Sequence, residues 1–243
     1  MDKTYLTDLK KKVFIRSSLI ALNSLDEILS LNDYLSSDEI LLEIFKKALR
    51  EYEITVPLIL TMKMNKGQMM TCYGREGWAE IKSNFTLFLD CIIGEDQIVL
   101  VPNSLPQWRL LNSYPVPGAW QWFSDYQRPY LFIQDMPNQE MFYMKGICSR
   151  PIIPDFRPNK TFNPDSKKSA IYWLDIENGA RGNYYMDLVM CHLLDYIRQL
   201  KASIQLPALS VDILSNVDQA YQELRSRTDQ FTLQSSWYGD LLW

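Results

Sequence analysis

The chain has 243 residues, 47% of them hydrophobic, with 25 basic residues against 29 acidic ones and a formal charge of −4. That length holds one large domain or two small ones with a buried core, and the apolar content is that of a globular chain rather than a disordered or membrane one. The near balance of charge offers no electrostatic case for a general nucleic-acid binder.

The start of the chain does not read as a secretory signal, because Arg16, Ser17 and Ser18 interrupt the apolar run that follows Lys10, Lys11 and Lys12. No run of about twenty apolar residues is present, so no bilayer-spanning helix is expected, and the protein reads as soluble and intracellular in origin. Residues 7–31 contain short helical patterns, with Ser24 as a plausible cap before Leu25. A stronger helix follows, capped by Ser37, with Asp38 and Glu39 at its positive end and Leu41, Phe45, Ala48 and Tyr52 at helical spacing. The period then changes: 54–62 is rich in β-formers, and Pro57 makes it an edge strand or sets a break at its start. Asn65-Lys66-Gly67 reads as a turn into a strand over 68–73. Residues 83–93 fit helix or strand, with a helix ended by Gly94 as the expectation. A buried strand over 97–101 stops at Pro102.

Ten of the twelve prolines lie between Pro102 and Pro164, a stretch that also holds Trp108, Trp120 and Trp122. Proline stiffens an extended chain and large aromatics suit protein contacts, so 102–169 reads as an arm or loop insertion with strands over 130–134 and 140–147. Its last part, 149–169, is polar, broken by proline and slightly basic, as a surface loop is. A strand over 170–175 and a turn through Asn178-Gly179-Ala180-Arg181-Gly182 lead into a helix over 184–205, with Val189, Leu193, Ile197, Leu200 and Ile204 as its apolar stripe. Pro207 breaks it, Ser210 caps a final helix, and Leu214, Val217, Tyr221, Leu224, Thr228 and Phe231 continue the stripe, which makes an antiparallel αα-hairpin. The expected fold is α+β: helices at both chain ends around a small, mostly antiparallel β region with a long proline-rich arm, as a single domain over 1–243.

Catalytic signatures are sparse. Cys72, Cys91, Cys148 and Cys191 form no CxxC pair and read as reduced, mostly buried thiols. His192 is the one histidine; Cys191 points about 100° away from it on a helix, so a helix residue at the edge of a packed face outweighs a catalytic dyad. Gly179-Ala180-Arg181-Gly182 lacks the spacing of a phosphate-binding loop and reads as a strand-to-helix connection. Glu80-Ile81-Lys82 has the ExK form of some magnesium-dependent nucleases, but no aspartate lies between Asp38 and Asp90 to complete a metal site. No catalytic residue, metal or cofactor is therefore expected. The apolar residues Trp237, Tyr238, Leu242 and Trp243 must fold back or bury in a partner, and with Trp108, Trp120 and Trp122 they form the candidate interface set.

Three stretches carry a resemblance. They are the helix 38–53 running through Ala48-Leu49-Arg50-Glu51-Tyr52 into Val56-Pro57-Leu58, the amphipathic helix 184–205, and the closing helix 211–227 with its Trp-Tyr-Gly ending. Together they resemble a virion protein of tailed bacteriophages, of the neck or head-to-tail connector kind; the proline-rich middle matches no family pattern. The resemblance implies a non-enzymatic ring subunit of the virion, made in the host cytoplasm. Its implied partners are copies of itself and portal, tail or neck proteins, around DNA that passes without sequence-specific contact, and no membrane. The competing readings are a metal-dependent nuclease using Glu80 and Lys82 and a monomeric protein-binding adaptor using the aromatic arm.

Overall fold

The computed structural model describes the chain apart from residues 1–2, 21, 23–24, 33, 66–77, 81–84, 94–97, 101–119, 125–128, 134–140, 159, 204–210 and 235–243. In the strands between 61 and 146, and at 201–203, 211–214 and 234, the backbone path alone is described. The elements begin with β1 (Lys3–Tyr5), α1 (Leu6–Leu19), α2 (Leu25–Leu29), α3 (Ser37–Thr55), β2 (Leu58–Asn65), β3 (Trp78–Glu80), β4 (Phe85–Ile93) and β5 (Ile98–Leu100). They continue with β6 (Trp120–Ser124), β7 (Pro129–Ile133), β8 (Met141–Cys148), β9 (Ile152–Ile153), β10 (Ala170–Tyr172), α4 (Gly179–Ser203) and α5 (Val211–Gln234). This is the α+β arrangement expected, helical at both ends with antiparallel strands between. The chain divides into two compact units, Met1–Val56 with Arg150–Trp243, and Pro57–Ser149. The proline-rich stretch expected as an arm thus carries four strands and is divided at 149/150.

The first unit is built on helices. Ser36 starts α3 with a capping box: its Oγ accepts from the Glu39 N–H at 3.3 Å while Glu39 Oε2 accepts from the Ser36 N–H at 2.9 Å. The cap is Ser36 rather than the expected Ser37, because a box needs its serine three residues before the glutamate. Leu41, Phe45, Ala48 and Tyr52 are buried as their spacing requires. Helix α4 is buried on most of its circumference, through Tyr185, Leu188, Val189, Leu193, Leu194 and Ile197, because α1, α3 and α5 all pack on it. The expected turn 178–182 is instead largely the first turn of α4. Gly182 is required there, since a Cβ would run into the Ile176 carbonyl group.

Helix α5 returns antiparallel to α4. Phe231 stacks on Tyr184 at 4.3 Å, and Arg198 Nε reaches Asp218 at 2.8 Å near the other end. Val217, Leu224 and Thr228 are buried on the predicted stripe, while the Leu214 side chain and Ile204 lie outside the described residues. The unit is completed by an antiparallel sheet in the order β1-β10-β9. The Thr4 hydroxyl ties this sheet to the segment that leads into α4, donating to the Leu174 carbonyl at 2.6 Å. Neither β1 nor β9 was anticipated; with three and two residues they are too short to show a period.

The second unit holds two antiparallel sheets, β2-β8-β4-β5 and β3-β7-β6. The helix expected over 83–93 is strand β4. Phe85, Thr86, Phe88, Ile92 and Ile93 are β-formers, and pairing with β8 on one side and β5 on the other overrides the ambiguous local pattern. Likewise Ile54 and Thr55 close α3, and the strand begins after Pro57 at the sheet edge, where a missing N–H is tolerated. Strand β6 was not expected, whereas β5, β7 and β8 fall within a residue of their predicted bounds. The strand expected over 68–73 lies outside the described residues.

Candidate functional site

The densest polar cluster lies where α3, α4 and α5 meet. Successive turns of α3 place Glu51 on the flank of its buried face, so its carboxylate reaches both other helices. Oε2 takes a hydrogen bond from His192 Nε2 on α4 at 3.0 Å, and Oε1 one from Arg225 Nη1 on α5 at 2.7 Å. Arg225 Nε also lies 3.5 Å from Asp229, one turn further along α5. The His192 hydrogen bond, with the Arg225 guanidinium, holds the Glu51 carboxyl down at about 2 against the pull of burial. Glu51 is thus an anionic staple across three helices and a weak base. Next to His192, Cys191 is buried among apolar side chains, which pushes its thiol up to about 12 and keeps it protonated. His192 is half-buried at the edge of the packed face, as its position suggested.

A second cluster closes the C-terminal end of α3. Arg150 is buried with its guanidinium 5.0 Å from the centre of the Tyr52 ring. Its Nη1 donates to the Val56 carbonyl and its Nε to the Trp173 carbonyl, each at 2.9 Å, and its backbone N–H donates to Glu53 Oε1. Val56 is the C-cap of α3, so the cation occupies the negative end of that helix. Trp173 has a left-handed backbone (φ 55), which the Arg150 bond helps to hold. Here burial dominates: it pushes the Glu53 carboxyl up and pulls the Arg150 guanidinium down.

Two cavities flank α4. One of about 430 Å³ is lined by Arg16, Leu19, Met190, Leu224 and Arg227, with Asp187 accepting from Arg16 Nη1 at 2.5 Å. The other, about 250 Å³, lies by His192, Lys47 and Tyr196. Among the described residues no group of three His, Cys, Asp or Glu side chains is placed to hold a metal ion, and no helix is long and apolar enough to cross a membrane.

Of the sequence candidates, Trp120 and Trp122 lie two apart in β6, on one face of the strand, opposite Ile133 and Leu131 of β7. Trp108, Trp237, Tyr238, Leu242 and Trp243 lie outside the described residues, as does Lys82, while Glu80 ends β3. Glu51, Glu53, Arg150 and Arg225 were not singled out from the sequence. The pairings of Glu51 and Glu53 span 97 to 174 residues, and no local spacing signals them. Comparison with protein-family models and with curated proteins gives no match.

Proposed function

We propose that this chain is a structural subunit of a protein assembly, specifically a ring protein of the neck or head-to-tail connector of a tailed phage, without catalytic activity of its own. The observation that carries the assembly reading is the apolar surface that the helical unit leaves exposed among the described residues. Ile15 and Leu19 stand one turn apart on α1, 62% and 80% exposed, while Leu31, Tyr34 and Leu35 form a second exposed group before α3. Two separate apolar groups on one unit suit the heterologous contacts by which a subunit meets two neighbours in a closed ring. The polar clusters support the non-catalytic half of the reading. The Glu51 and Arg150 groups spend their hydrogen bonds on joining helices and loop ends, and the Cys191 thiol and Glu51 carboxyl are held in unreactive protonation states.

Within this reading Trp237, Tyr238, Leu242 and Trp243 form an interface tail, and Trp108, Trp120 and Trp122 a second contact surface. The test removes residues 237–243 and compares folding with assembly. The expected outcome is a truncated protein that keeps its melting temperature and circular dichroism but fails to join particles. Unfolding would show a tail packed on its own core, and normal folding with normal assembly would sink the interface role of the tail.

A further inference from the structure

One segment of the helical unit differs in charge from the chain as a whole. Residues 150–169 hold five basic residues against two acidic ones, on a chain whose total is −4. Arg150 is buried, and the other four cations, Arg157, Lys160, Lys167 and Lys168, are all exposed. On the helices five cations are paired, Lys10 with Asp38, Lys12 with Glu177, Arg16 with Asp187, Arg198 with Asp218 and Arg225 with Glu51, and the exposed ones without such a pair, Lys11, Lys47, Arg50 and Arg181, are spread over three helices. The four exposed cations of 150–169 have no carboxylate partner among the described residues; the one polar side-chain contact they make is a long one, 3.4 Å from Arg157 Nη2 to Asn163 Oδ1.

The segment that carries them is a built lobe. Phe156 and Phe162 form an antiparallel bridge, the Arg157 N–H donates to the Thr161 carbonyl at 2.7 Å, and the Lys160 N–H donates to the Arg157 carbonyl at 2.8 Å. The following turn is tied back by Asn163 N–H to the Asp155 carbonyl at 2.8 Å and by Ser169 Oγ to the Asn163 carbonyl at 2.8 Å. Asp155 itself accepts from Ser166 Oγ, so one of the two local carboxylates is spent inside the lobe. Beside the cations, Phe156 is 52% exposed, with its ring edge-to-face on Phe162 at 6.3 Å.

We propose that the lobe 155–169 binds the phosphate backbone of nucleic acid. Nucleic acid carries condensed counterions that such cations release on binding, and cations left without partners on an ordered scaffold lose little entropy in meeting the phosphates. An exposed aromatic ring among them favours nucleic acid over an acidic protein surface, because it offers bases a stacking face that carboxylates do not use. The proposal deepens the connector reading by naming the surface that meets the DNA. Binding is measured on the isolated protein and assembly on particles, so each can fail without the other.

The test is anisotropy of labelled duplex and single-stranded DNA with the full chain across a salt series. Four phosphate contacts predict a log–log salt slope of about −3.6 on duplex, or a loss of about 150-fold in affinity between about 50 and 200 mM salt. Changing Arg157→Gln, Lys160→Asn, Lys167→Gln and Lys168→Gln together should abolish binding; asparagine is chosen at 160 because Lys160 has φ 64, which asparagine tolerates. Should that variant lose its circular dichroism, Lys167→Gln and Lys168→Gln decide singly, each lowering the slope by about 0.9. The control Lys47→Gln on α3 should leave the slope unchanged. Absence of binding at the lowest salt, lobe variants that bind like the parent, or displacement of DNA by polyglutamate as readily as by unlabelled DNA would each overturn the proposal, the last in favour of an acidic protein partner.

Discussion

Glu51 and Glu53 stand two residues apart on α3, yet the protein drives their carboxyls in opposite directions. Glu51 faces α4 and α5 with its side chain 30% exposed and takes hydrogen bonds from both His192 and Arg225; its carboxyl falls to about 2. Glu53 faces the buried Arg150, receives one backbone N–H and lies 3.9 Å from the guanidinium; its carboxyl rises. Depth and partner geometry decide the sign. At Glu51 two charge-assisted hydrogen bonds outweigh the loss of hydration, whereas at the somewhat less exposed Glu53 the loss of hydration outweighs one backbone hydrogen bond and a loose pairing. The Arg150 cluster is therefore held together by the cation's bonds to the Val56 and Trp173 carbonyls, with Glu53 the lesser member.

Three substitutions sharpen that contrast. The largest effect is expected of Arg150→Ala, which leaves two carbonyls unpaired and Glu53 without its cation; denaturant unfolding should register a loss of about 3–5 kcal/mol. A loss under about 1 kcal/mol would mean that the α3 C-terminus does not depend on this side chain. Glu51→Gln comes next, at roughly 1–2 kcal/mol near neutral pH after allowance for solvent screening. Because the folded carboxyl titrates below the ordinary 4.5, its contribution is present above that value and fades as pH falls from about 4.5 to about 2. Stability curves of parent and Glu51→Gln should converge over that window, and a constant gap would contradict the assignment.

The smallest change is expected of Glu53→Gln, within about 1 kcal/mol and neutral to stabilising near neutral pH. The amide oxygen still accepts from the Arg150 N–H while the cost of a partly buried anion disappears. Glu53 has its folded carboxyl above 4.5, so it weighs against folding once pH rises past that raised value and ceases to do so below 4.5. Any advantage of Glu53→Gln should therefore shrink on acidification, the reverse of the trend at Glu51.

Local sequence carried the elements whose signal is local. The spacing of Leu41, Phe45, Ala48 and Tyr52 gave α3, and the stripe through Val217, Leu224 and Thr228 gave α5, with its buried polar position at Thr228. What failed was decided by distant pairing. Residues 85–93 became a strand because β8 and β5 flank them, and β6 formed between prolines that suggested an arm. At Gly179 and Gly182 glycine was read as turn chemistry, whereas Gly182 serves close packing on Ile176. The polar clusters were the least readable part. His192 stands out as the one histidine of the sequence, but nothing local announces Glu51, 141 residues earlier, as its partner.

Imaging tests the proposed assembly role without an intermediary. Electron micrographs of particles purified from cells that produce this chain, with the chain tagged and gold-labelled, should show label at a single vertex, on the collar between head and tail, in several copies per particle. Label that is absent from purified particles while the tagged chain remains free in the lysate would contradict the account.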